Sequence, residues 1–151
     1  MLSCKLLALV EKHSDELAAR LLKNIRESPA TKSLGNVPPE ELEERVRELY
    51  AHLGQWLVMP KDEEMRRRYS LIGALRYSQG VELADLIWAM ALAKHNVWEF
   101  LECEGIPDRL PEVFGELDLL QLMGNFFDRV IHYTICGYEE ARSKDLNRKA
   151  A

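Results

Sequence analysis

The chain is poor in the residues that would announce chemistry. Its three cysteines, Cys4, Cys103 and Cys136, are odd in number and lack paired spacing. They offer neither a disulfide frame nor a zinc site, and read as reduced thiols of a cytosolic protein. All eight glycines are isolated, so no glycine-rich phosphate loop can form. No uninterrupted apolar run approaches membrane-spanning length. The apolar stretch within Met1–Val10 is interrupted by Lys5 and lacks the long core and cleavage site of a secretory leader. Positive charge is not in excess either. A formal net charge of −5 argues against nucleic-acid or anionic-membrane binding driven by overall charge. The dense basic run Arg66-Arg67-Arg68 follows Asp62-Glu63-Glu64 at helical i+3 and i+4 spacing, which predicts a solvated, salt-bridged face. These absences leave a soluble, cytoplasmic protein as the expectation.

What is present is helical periodicity, and no convincing alternating strand accompanies it. With 151 residues, 47% of them apolar, the chain is sized for one domain with a real core. Leu6, Val10, Leu17, Leu21 and Ile25 share one side of Leu2–Ser28, and Ser14 is a plausible N-cap within that stretch. Pro29–Val37 reads as a loop. Pro38-Pro39-Glu40-Glu41 opens a second helix, whose face collects Leu42, Val46, Leu49, Leu53, Trp56 and Leu57 and which Pro60 stops. A third helix spans Asp62–Gln79, with Gly80 placed for a left-handed C′ residue. A fourth spans Glu82–Glu104, and the two prolines of Ile106–Pro111 break the chain. A long final stretch from Glu112 to about Asp145, with kink points at Gly115 or Gly124, presents Leu119, Leu120, Met123, Phe126, Phe127, Val130, Ile131 and Tyr138. The polar tail 146–151 is expected to fray. The fold class is therefore all-α, a single-domain bundle over 1–151 of about five or six helices without a sheet.

Two cations interrupt the apolar stripes. Arg76 lies on the face of the third helix that carries Met65, Tyr69, Ile72 and Leu75. Lys94 lies on that of the fourth, among Leu83, Leu86, Ile87, Met90, Val97, Trp98 and Leu101. A cation there must snorkel, meet an anion, or face a ligand. Two readings stay open: structural stems or internal ion pairs, or a polar-ligand pocket drawing on Arg76, Lys94, Trp98, Tyr69 and Tyr77. Trp88, Leu92, His95 and Glu99 form a second stripe on the fourth helix at alternating four- and three-residue steps, the pattern of a helix-pairing seam or homodimer interface. His52, His95 and His132 fall at the edge of, or off, their apolar faces. His95 shares its polar side with Asp85, Asn96, Glu99 and Glu102, which disfavours a haem ligand. No ligand spacing suggests zinc, and no nucleophile–base arrangement suggests an enzyme. Glu40-Glu41, Glu43-Glu44 and Glu63-Glu64 read as solvent-facing acids. Neither a catalytic residue, a metal nor a cofactor is expected.

The stretch Arg76-Tyr77-Ser78-Gln79-Gly80-Val81-Glu82-Leu83-Ala84-Asp85-Leu86-Ile87-Trp88-Ala89 resembles the "Q-G-hydrophobic-x-L-x-x-L" hinge of the RsbRD N-terminal domain family of RsbT co-antagonist proteins. The acidic opening Pro39-Glu40-Glu41-Leu42 is similar too, as are Phe126-Phe127-Asp128-Arg129 and Gly137-Tyr138-Glu139-Glu140-Ala141. The resemblance implies an all-helical, globin-like fold without haem. It also implies a non-catalytic bacterial sensor or regulatory input domain in stress-response signal transduction, often a homodimer, coupled to a downstream signalling protein or effector. It supplies no ligand residues to transfer. The alternative is a helical carrier binding a small molecule or haem.

Overall fold

The structure, a computed structural model, describes residues 8–59, 61–103 and 113–151, without the side chains of residues 58 and 113–120. Among the described residues every regular element is helical. A helical turn over 8–12 leads into α1 (Ser14–Glu27), and a 3-10 segment, Pro29–Asn36, follows. Then come α2 (Pro39–Val58), α3 (Asp62–Ser78), α4 (Leu83–Cys103) and α5 (Val113–Ala150). The all-α expectation is met. Readings that involve Leu2, Cys4, Leu6, Pro60, the Ile106–Pro111 break, Gly115, Leu119 and Leu120 lie outside the described residues or side chains.

Three boundaries differ from the sequence reading. The residue before α1 is His13, which makes no side-chain capping bond, and Ser14 is already helical. The segment expected as a loop is wound into 3-10 turns, because it has its own buried spine. Thr31, Leu34 and Val37 recur every third residue and all three are buried, with a kink in the winding at Thr31 (φ −123°, ψ 22°) and Val37 as the residue that ends it. Thr31 Oγ1 donates to the Ile25 carbonyl at 2.6 Å, which ties the segment to the end of α1. Finally, α5 continues through the polar residues read as a tail. The pairs Lys144–Glu140 and Lys149–Asp145 brace its last turns at i,i+4, and Arg148 and Lys149 complement the helix dipole there.

Packing decides which faces are inside. α3 and α5 lie side by side and run in the same direction. Tyr133 and Arg129 reach Asp62 at the start of α3, and Asp145 accepts from Tyr77 near its end. Between these points Gly73 faces the Thr134 carbonyl and Gly137 faces the Ser70 carbonyl. A Cβ on either glycine would overlap backbone atoms of the other helix. This close approach rotates α3, so that Met65, Tyr69, Gly73 and Arg76 are buried while Leu71 and Leu75 face outward. Leu75 had been expected on the core stripe.

α4 is rotated as well. Its inner face is Leu86, Ala89, Ala93, Asn96, Val97, Phe100 and Leu101, and it packs on α1, the 3-10 segment and α5. Asn96, assigned to the polar side by its position, is 1% exposed. Its Nδ2 donates to the Leu17 carbonyl at 2.9 Å and to Tyr50 Oη at 3.1 Å, and Tyr50 in turn donates to the Ala93 carbonyl at 2.9 Å. This network adds hydrogen bonds to the apolar contact among α1, α2 and α4, while Asn96 Oδ1 accepts none among the described residues.

Candidate functional site

Arg76 is the centre of the site. Its side chain is 3% exposed, and Nη1 donates to Glu41 Oε1 at 2.9 Å and to Gln79 Oε1 at 2.8 Å. Gln79 Nε2 donates to the other Glu41 oxygen at 2.9 Å, closing a three-residue ring between the start of α2 and the end of α3. The guanidinium hydrogen-bonded to Glu41 holds that carboxyl below its ordinary range. Burying a guanidinium this fully requires such a partner. Glu41, read from its place among exposed acids as solvent-facing, is that partner.

The ring sits on a helix-ending turn whose every residue is held. Gly80 has φ of 77°, the left-handed conformation glycine adopts without strain. Val81 N–H donates to the Arg76 carbonyl and Gly80 N–H to that of Tyr77, the two bonds of a Schellman motif. Outside contacts then fix the turn. Asn36 Nδ2 donates to the Gly80 carbonyl and Tyr138 Oη to that of Val81, at 3.1 and 2.7 Å. Ser33 Oγ accepts from Glu82 N–H and donates to Asp85 Oδ2, so it caps α4 from the 3-10 segment. The Gln79-Gly80-Val81 hinge is thus a junction of α2, α3, α4, α5 and the 3-10 segment.

Beside the junction, α2 and α3 face each other across a cavity of about 110 Å³. Its wall is mostly apolar: Leu42, Val46 and Leu49 from α2, Tyr69 and Ile72 from α3, and Leu86, Ala89, Met90 and Ala93 from α4, with Phe127 and Val130 of α5 behind. The polar residues on the wall are Arg45, Glu48, Arg68, Arg76 and Thr134. Glu48 Oε2 accepts from Arg45 at 2.8 Å and Arg68 at 3.4 Å. Arg68 also stacks over Trp56, its guanidinium carbon 5.3 Å from the ring centre. Only Arg66 of the basic run makes the expected short-range pair, with Glu63. Burial pushes the Tyr69 hydroxyl pKa up, so that group stays protonated.

Of the five residues named for a ligand pocket, Arg76 and Tyr69 are on this wall. Lys94 and Trp98 are half-buried on α4 and do not line it. Tyr77 borders a separate cleft with Tyr138, Lys144 and Asp145, where its hydroxyl donates to Asp145 Oδ2 at 2.7 Å. Arg45, Glu48, Arg68 and Glu41 were missed. The available signal was their spacing: Glu41, Arg45 and Glu48 step by four and three along the edge of α2's apolar face, where a charged row can meet a buried cation.

On the second stripe, Trp88 is 50% exposed, Leu92 is half-buried against the core and His95 is exposed. Glu99 pairs with His95 and with Arg20 of α1, both at 3.4 Å, so the chain's own first helix meets the end of the stripe. His52 and His132 are also exposed, and none of the residues lining the cavity is a histidine. Cys103 and Cys136 are free and exposed. Among the described residues no group of three or more His, Cys, Asp or Glu could hold a metal ion. No helix among them is long and apolar enough to cross a membrane.

The family model described as the RsbT co-antagonist protein rsbRD N-terminal domain matches residues 15–151, and the chain belongs to that family. Neither a curated protein nor a solved structure matches it. The match takes in every element that builds the hinge junction and the cavity wall.

Proposed function

We propose that this rsbRD-type N-terminal domain is a non-catalytic signalling input module of the stressosome type, working as a homodimer in the cytoplasm and passing a helix rearrangement to a downstream partner. Family membership supports the signalling role. The single structural observation that carries the mechanism is the direct backbone contact of α3 with α5 at Gly73 and Gly137. α3 borders the cavity, and α5 is the longest helix, running 38 residues to Ala150. A movement of α3 cannot be absorbed by side chains at that contact, so α5 must follow. The domain 1–151 acts as one unit in this reading.

The dimer surface is centred on Trp88, with Leu92, His95 and Glu99 beside it. A half-exposed tryptophan next to a half-buried leucine is the kind of aromatic anchor that dominates interface energetics. Sedimentation velocity at high micromolar concentration is the test. The expected result is a dimer for the native chain and a shift toward monomer for Trp88→Glu. A strict monomer, insensitive to that substitution, overturns the dimer mechanism.

A further inference from the structure

We propose that the cavity between α2 and α3 binds a small monocarboxylate: one carboxylate carried on a compact apolar body, such as a short-chain fatty acid or an aryl carboxylate. Three observations carry this. First, the size is right for a small molecule. A cavity of about 110 Å³ is somewhat smaller than the roughly 150 Å³ apolar hole known to take up benzene. Its wall of leucines, alanines, Ile72 and Phe127 suits an alkyl or aryl body.

Second, the charge around it is unbalanced. Three guanidinium groups, Arg45, Arg68 and Arg76, stand against two carboxylates, Glu41 and Glu48. Both Arg45 and Arg68 draw on one oxygen of Glu48. One positive charge is left over, which a monoanion would neutralise.

Third, a guanidinium donor just behind the wall, one side-chain shift from the cavity, is without a partner. Arg45 Nε is buried and makes no hydrogen bond among the described residues. Leaving a guanidinium N–H dry costs free energy that an incoming carboxylate oxygen would recover. Arg76 donates through Nη1 alone, so it too has donors to spare. A neutral ligand of equal size would fill the space but leave both the charge and the donor unanswered.

This concerns binding and does not rest on the signalling reading; a dimer that binds no carboxylate and a monomer that does are separable results. The experiment is a titration of the full chain with hexanoate and benzoate, followed by heteronuclear NMR shifts, with hexanol and acetate as controls. The expected result is saturable binding of hexanoate or benzoate, with shifts concentrated at Ala89, Met90 and Ile72. Hexanol and acetate should each bind roughly tenfold more weakly or worse. Arg45→Met should weaken the carboxylate by a similar factor while leaving hexanol unchanged, and Ala89→Leu, which fills the space, should abolish binding. If Ala89→Leu fails to fold, Arg45→Met alone decides the point. Hexanol binding as tightly as hexanoate, or no saturable binding of either carboxylate, overturns the proposal.

Discussion

The two flanks of α3 are built on opposite plans. On one flank Gly73 and the Ser70 backbone lie against Thr134 and Gly137 of α5, and at the two glycines nothing larger than hydrogen fits. On the other, α3 meets α2 through side chains: Tyr69 packs edge-on to Trp56, Arg76 and Arg68 pair with Glu41 and Glu48, and Arg68 stacks over Trp56, all around an open cavity. A close-packed contact has essentially one arrangement, whereas long charged side chains can re-form at several separations. One helix therefore carries a fixed side and an adjustable side. The difference is one of construction: bare backbone closes one interval, and side chains around a cavity fill the other.

The comparison breaks most severely at the close contact. Gly137→Leu forces a side chain into the Ser70 backbone, and a loss of at least ~4 kcal/mol in urea-unfolding stability is expected. A change within ~1 kcal/mol would mean that the two helices can separate cheaply, and the fixed-side description would fail.

The adjustable flank should respond less, and in a pH-dependent way. Glu41→Ala leaves Arg76 buried with Gln79 as its remaining partner, and a loss of about 3 kcal/mol near neutral pH is expected from chemical denaturation. Glu41's carboxyl pKa is depressed by Arg76 below the ordinary 4.5. Its contribution is therefore complete above that ordinary value and is lost as pH falls through the lower, folded-state one. The native chain should lose stability over that acidic interval, and Glu41→Gln should flatten that part of the curve. A curve of unchanged shape would show that Glu41 titrates freely.

The smallest effect sharpens the contrast by matching residue type. Gly124 is a helical glycine of α5 with open space where a Cβ would go. Gly124→Ala should stabilise by ~0.5–1 kcal/mol, the ordinary helix-propensity gain, detectable as a raised thermal midpoint. The same helix would then tolerate alanine at one glycine and reject a larger residue at the other, for reasons of contact alone.

The sequence made some of this legible. Helical class followed from apolar spacing, and the end of α3 from Gly80, because those signals are local. Helix faces were less accurate on α3 and α4. Leu75 is more hydrophobic than Gly73, yet Gly73 is inside, because burial there is set by how closely α5 approaches. Asn96 went inside for a similar reason: a carbonyl of α1 and the Tyr50 hydroxyl wait for it. Arg76 stood out as a cation on a core stripe, and its anion could not be named because Glu41 is 35 residues away. Ion-pair partners across helices leave no periodic mark. The 3-10 segment was missed despite its every-third-residue spine, since Pro29 and Gly35 among polar residues suggested irregular chain.

The shared direction of α3 and α5 brings the C-terminal end of α3 and the late turns of α5 to the same side of the molecule. α3 reaches Ser78 about where α5 reaches Asp145. About a turn and a half of α5 therefore stands past the end of its neighbour, and under the proposed mechanism that stretch is where a displacement of the close-packed pair would be displayed.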